Sequence, residues 1–167
     1  MGAWTTPASH GATTLTTAEW DTYIKDNSRI GLIWVQPHKV SGTGTIGDAT
    51  NPYAGAAIGD TAADGSAFLT MRLPAQYTSL VTAKIACFKN NDFGNEDLYW
   101  SVTTNWGADG EARTLNTDSI ANTARTMVDD EIDEIDISAA FTGVAAGDVI
   151  GVQFTRVGSN ALDTITS

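Results

Sequence analysis

The sequence predicts an all-β protein: an antiparallel β-sandwich of the jelly-roll type, preceded by an extended N-terminal arm and one short α-helix. Three observations lead there. Short runs rich in β-branched and aromatic residues recur from about residue 30 onward, each closed by Gly, Asn, Asp or Pro. No amphipathic helical period recurs among them, which excludes the alternating α/β classes and favours two packed antiparallel layers. One well-marked helix start stands alone near the N-terminus. At 167 residues the chain is long enough to bury a core without disulfides, and its lone Cys87 has no intrachain partner. We therefore expect two regions, an arm and helix over residues 1–29 and a β domain over residues 30–167.

The helix is read over residues 15–28. Thr16 and Glu19 have capping-box spacing, Leu15 and Trp20 occupy the staple positions, and Trp20, Tyr23 and Ile24 fall on one face. Two or three turns are marginal in water by themselves, so that apolar face needs a surface to pack against. "RIGLIWVQP" then reads as the first strand, closed by Pro37. Residues 41–67 hold six glycines and no base, a long loop with short paired pieces near Ile46 and Ile58. "SAFLTMRLP", "SLVTAKIACFK", "DLYWSVTTNW", "EIDEIDISAAF" and "DVIGVQFTRV" read as strands, and the polar "NTDSIANTARTM" as a short helix or a loop. Trp34 and Trp100 lie in apolar strands and are expected in the core.

Charge excludes one class of partner. Residues 1–89 carry six acids and six bases, and residues 90–167 carry fourteen acids and three bases, so the net −11 falls in the second part. Without clustered Lys and Arg no nucleic-acid partner is expected. No stretch approaches the ~20 apolar residues of a membrane helix, and no secretory leader is recognised, so no membrane partner and synthesis in the cytoplasm are expected.

Catalytic patterns are weak. "GTGTIG" at residues 42–47 matches a dinucleotide fingerprint by letter, yet "DATNPY" follows where a helix would have to emerge. His10 and His38, the two imidazoles, have no partner at ligand spacing, and no nucleophile elbow exists. "DDEIDEID" at residues 129–136 places six carboxylates in eight residues. A solvated edge strand explains it, with Ile132, Ile135 and Ile137 toward a core and a bend between the first two. Calcium is a lesser reading there and at "NNDFGNED", residues 90–97, which lacks the EF-hand pattern. No cofactor, no metal and no enzymatic activity are expected. Trp106 in the turn-like "NWGADG", with Tyr53, offers a sugar-stacking surface, so a carbohydrate-recognising module is the alternative function.

"WTTPASHGATTLTTAEWDTYIKDNSRI", residues 4–30, resembles an N-terminal segment of structural proteins of tailed bacteriophages and their prophages. Trp4, Pro7, Leu15, Thr16, Ala18, Tyr23, Ile24, Asp26 and Asn27 carry the resemblance, and Asp21 departs from it where Asn is frequent. "FLTMRLPAQYTSL" and "GVAAGDVIGVQFTRVG" look like strands of jelly-roll modules in such proteins. The resemblance implies a non-enzymatic virion component, a capsid decoration protein or a short head, neck or tail fibre. Its partners would be other virion subunits and copies of itself, by analogy a trimer, with a host glycan in the receptor-binding case. Trp4, Pro7, Leu15, Trp20, Tyr23 and Ile24 would then form the docking interface.

Overall fold

A computed structural model of the chain describes residues 33, 35–46, 55–59, 63–89, 94–129 and 131–165. The chain divides into a unit of residues 1–34 and a unit of residues 35–167, and the second holds every described element. The helix expected over residues 15–28, Trp34, and the expected docking residues Trp4, Pro7, Leu15, Trp20, Tyr23 and Ile24 lie outside the described residues.

The described residues are mostly β-strand in antiparallel sheets. Nine strands follow in order: β1 (Lys39–Gly42), β2 (Gly44–Ile46), β3 (Ala56–Ile58), β4 (Asp64–Arg72), β5 (Lys84–Cys87), β6 (Glu96–Gly107), β7 (Asn116–Met127), β8 (Asp133–Asp136) and β9 (Val149–Val157). A 3-10 turn at Ser138–Phe141 precedes the last. One five-stranded sheet runs in the order β1-β4-β9-β6-β7, while β2 pairs with β3 and β5 with β8.

Alternation in three strands builds the core. Leu98, Trp100, Val102, Thr104 and Trp106 of β6 point to one face, as do Ile150, Val152, Phe154 and Arg156 of β9. Register aligns them in rows across the sheet: Val102, Phe154 and Ala67, then Thr104, Val152 and Leu69, then Trp106, Ile150 and Met71. Ile135, Ile137 and Phe141, with the half-buried Ile85 and Ile58, pack in the same cluster. Each such side chain removed from water contributes about 1.5–3 kcal/mol. Trp100 stacks on Phe154 with ring centroids 5.7 Å apart. Thr104 is fully buried, and its hydroxyl donates to the Ala140 carbonyl, so the polar group inside the core is satisfied.

Several expected elements differ. Ile33 and Val35–His38 are outside any strand, and the first ladder begins beyond Pro37, where Lys39 meets Phe68. β-propensity becomes a strand only along a paired ladder, and of these positions His38 alone donates its N–H across, to the Phe68 carbonyl at 3.0 Å. Within "SLVTAKIACFK" only Lys84–Cys87 is a strand. "NTDSIANTARTM" is neither helix nor loop but the twelve-residue strand β7. The paired pieces near Ile46 and Ile58 are present as β2 and β3. Gly42 makes the corner between β1 and β2 with φ +68°, and a side chain there would meet the Asp64 carbonyl at 2.1 Å.

Candidate functional site

The two faces of the five-stranded sheet differ in chemistry. Opposite the core, Ser66, Thr70, Ser101, Thr103, Gln153 and Thr155 alternate with the buried residues of β4, β6 and β9. Ser66 and Thr155 hydroxyls lie 2.8 Å apart, and the Gln153 amide donates to both, at 3.1 and 3.3 Å. This face carries hydroxyl and amide groups, and His38 Nε2 stands 3.4 Å from the Thr70 hydroxyl. Phe68 on this face is covered by Lys39, whose Nζ stands 5.0 Å from the ring centre.

β7 is the long free edge of that sheet. Among the described residues it pairs with β6 alone, and residues 121–126 are exposed in succession, so neither of their faces is covered. Register slips between Trp100 and Val102, where Ile120 and Thr123 of β7 oppose them, leaving a bulge at Ala121 and Asn122. An uncovered edge presents unpaired N–H and C=O groups to a partner strand.

Charged side chains around the body are engaged in holding it together. Arg125 Nη2 donates to Asp133 Oδ1 at 2.7 Å, and the Val128 N–H donates to Oδ2 at 3.1 Å, so the Asp133 carboxyl titrates below the usual range. Backbone Thr142 and Ser119 N–H groups lower Asp118 similarly, and Ser138 lowers Asp136. Lys89 is buried and bonded to Asp129 at 2.6 Å, while Glu134 pairs with Lys84 and raises its pKa. The deepest pair is Arg156 with Asp163, side chains 5% and 1% exposed. Nε stands 3.1 Å from each carboxylate oxygen and Nη2 2.7 Å from Oδ1. Asp163 Oδ2 also accepts the Tyr99 N–H, and Thr164 bonds Asp97 in both directions, so residues 158–165 are clasped onto β6 and β9.

The sequence-predicted sites fare unequally. Trp106 is not a turn residue open to a sugar: it closes the β6 alternation at 5% exposure inside the core, because its spacing from Trp100, Val102 and Thr104 keeps the inward phase. Tyr53 and His10 lie outside the described residues. His38 is exposed, and its ring Nε2 stands 3.4 Å from Thr70 Oγ1. "GTGTIG" runs from β1 into β2, a strand where the dinucleotide fingerprint needs a helix. Ile135 of "DDEIDEID" and Ile137 just beyond it are buried, but Ile132 is 55% exposed and Asp133 takes the inward place instead. That inversion is tolerated because Arg125 and the Val128 amide compensate the buried carboxylate. Among the described residues no three His, Cys, Asp or Glu side chains gather as metal ligands, and residues 90–93 of the acidic loop fall outside them. Sequence reasoning missed the Arg156–Asp163 clasp, whose signal is a lone Arg at an inward strand position, and the β7 edge, whose signal is its run of Thr, Ser, Asn and Ala with one Asp and one Arg. Comparison of the chain with protein families, curated proteins and solved structures finds no match.

Proposed function

We propose that this chain is a structural, non-enzymatic protein of a tailed-bacteriophage virion, made in the host cytoplasm. It serves as a capsid decoration protein or a short head, neck or tail fibre, held to the particle by its N-terminal segment. The observation that carries this reading is the leader of residues 4–30. Its sequence sets Trp4 and Pro7 ahead of a Thr16–Glu19 capping-box spacing and of Trp20, Tyr23 and Ile24 at the spacing of one helical face, a pattern suited to a docking segment. Such a segment gains its order on a neighbouring subunit. Antiparallel β-sheets support the reading, and in it the five-stranded sheet is one layer of a sandwich and the β2–β3 and β5–β8 ladders belong to the other. The last strand, β9, returns between the earlier β4 and β6, as in Greek-key and jelly-roll chains. The alternative, a carbohydrate-recognising module, loses Trp106 as its stacking platform.

Deleting residues 1–28 tests the proposal. The truncated chain should keep its β-type circular dichroism and cooperative unfolding, yet no longer join particles to which the full chain binds. Particle binding that survives the deletion would remove the reading.

A further inference from the structure

We propose that β7 is a seam between two copies of this chain, its free edge pairing antiparallel with the same edge of a second copy across a twofold axis at the Ala121–Asn122 bulge. This inference is independent of the docking role given to the leader.

Symmetry sets a strict requirement. When a strand pairs with itself about a twofold, residues facing one another must point to the same side of the joined sheet. In a regular strand, a register centred between two neighbouring residues fails this, because each residue meets one of opposite phase. The bulge reverses the phase of β7 at its middle. Asn116, Asp118 and Ile120 share the core side with Thr123, Arg125 and Met127, since they oppose the inward β6 positions Trp106, Thr104, Val102, Trp100, Leu98 and Glu96. A register centred between Ala121 and Asn122 then matches sides throughout. It sets Asp118 opposite Arg125 of the second copy, Ile120 opposite Thr123, Thr117 opposite Thr126 and Ser119 opposite Ala124. Hydroxyl and β-branched pairs of this kind stabilise neighbouring strands.

Charge favours the same occupant. The chain carries a net charge of −11, which keeps copies apart, but β7 holds only one Asp and one Arg and is neutral. The proposed register brings those two together twice, once on each side of the axis. Both have capacity left: the Arg125 side chain is 46% exposed and gives Nη2 to Asp133, and the half-buried Asp118 accepts from Ser119 and Thr142, fewer bonds than its two oxygens can take. The guards that usually blunt an edge, Lys and Pro, are absent from residues 116–127. The bulge, a guard elsewhere, interrupts only the central pair and leaves both flanks to form the ladder.

Sedimentation of the full chain over a concentration series up to about 1 mM should show a monomer–dimer equilibrium. Ala124→Lys, at an exposed position, should weaken it by about tenfold or more while leaving the circular dichroism unchanged. The register has its own readout in a Cys87→Ser background. An oxidised mixture of Ser119→Cys and Ala124→Cys chains should form a cross-linked dimer, whereas either chain alone should not, because paired Cα atoms lie about 4.5–5.5 Å apart. A monomer throughout the range, a trimer, or cross-linking as efficient in one variant alone would overturn the proposal. So would association lost on deleting residues 1–28 but indifferent to Ala124→Lys, since that assigns the contact to the leader.

Discussion

Replacing Asp163 by Ala should destabilise the β body by about 3 kcal/mol. The carboxylate is 1% exposed and receives Nε and Nη2 of Arg156 together with the Tyr99 N–H, so the substitution leaves a guanidinium with 5% of its side chain exposed and no counter-charge. Breaking one partner of a buried pair costs about 3–5 kcal/mol. The carbonyls of Ile58 and Ile165 continue to accept from Arg156 at 3.4 and 2.5 Å, which places the loss at the lower end. At about 3 °C per kcal/mol for a domain of this size, the thermal midpoint should fall by about 10 °C. Urea unfolding followed by circular dichroism measures the difference directly. Asp163→Asn keeps an acceptor for Tyr99 and should lose less, and the double change Arg156→Met with Asp163→Leu should return to within about 1 kcal/mol of the parent, since no charge is then left buried. A loss below about 1 kcal/mol for Asp163→Ala would refute the view that the clasp holds residues 158–165 to the sheet.

Acid should unfold the body through its depressed carboxylates. Asp118, Asp133 and Asp136 have lower pKa values folded than unfolded, held down chiefly by Thr142, Arg125 and Ser138 respectively. Their contribution is complete above the unfolded value near 4 and is lost as pH falls through the folded values. Stability curves measured from pH 6 to pH 2 should drop below about pH 4, and Arg125→Met should make that acid limb shallower. Burial pushes the Cys87 thiol up to about 12, and its Sγ lies 3.7 Å from the Asp133 carbonyl. At pH 8 a disulfide reagent should react with the native protein about a thousandfold more slowly than with the urea-unfolded chain. Gly42→Ala should cost about 1–3 kcal/mol, read by the same urea titration, because the corner needs φ +68° and the added methyl strikes the Asp64 carbonyl.

What the sequence made legible follows burial. β6 and β9 alternate apolar and polar residues because one face of each is covered, so Leu98, Trp100 and Val102, or Ile150, Val152 and Phe154, announce their strands without any partner in view. β7 escapes for the opposite reason. It is an edge strand with residues 121–126 exposed, nothing constrains its side chains to alternate, and backbone pairing with β6 specifies it instead. Trp106 shows the limit of reading a residue by its neighbours. "NWGADG" looks like a turn, and the turn does follow at Asp109 and Gly110, but the tryptophan belongs to the phase of the preceding strand. Asp133 was illegible because its inward place depends on Arg125, a partner on another strand whose position sequence spacing does not reveal.

An electron cryomicroscopy map of a particle carrying this protein tests the central claim most directly. The account predicts density for Trp4 and for the face of Trp20, Tyr23 and Ile24 seated on a different polypeptide. Density showing that same face closed against the chain's own strands, with no neighbouring subunit in reach, would contradict it.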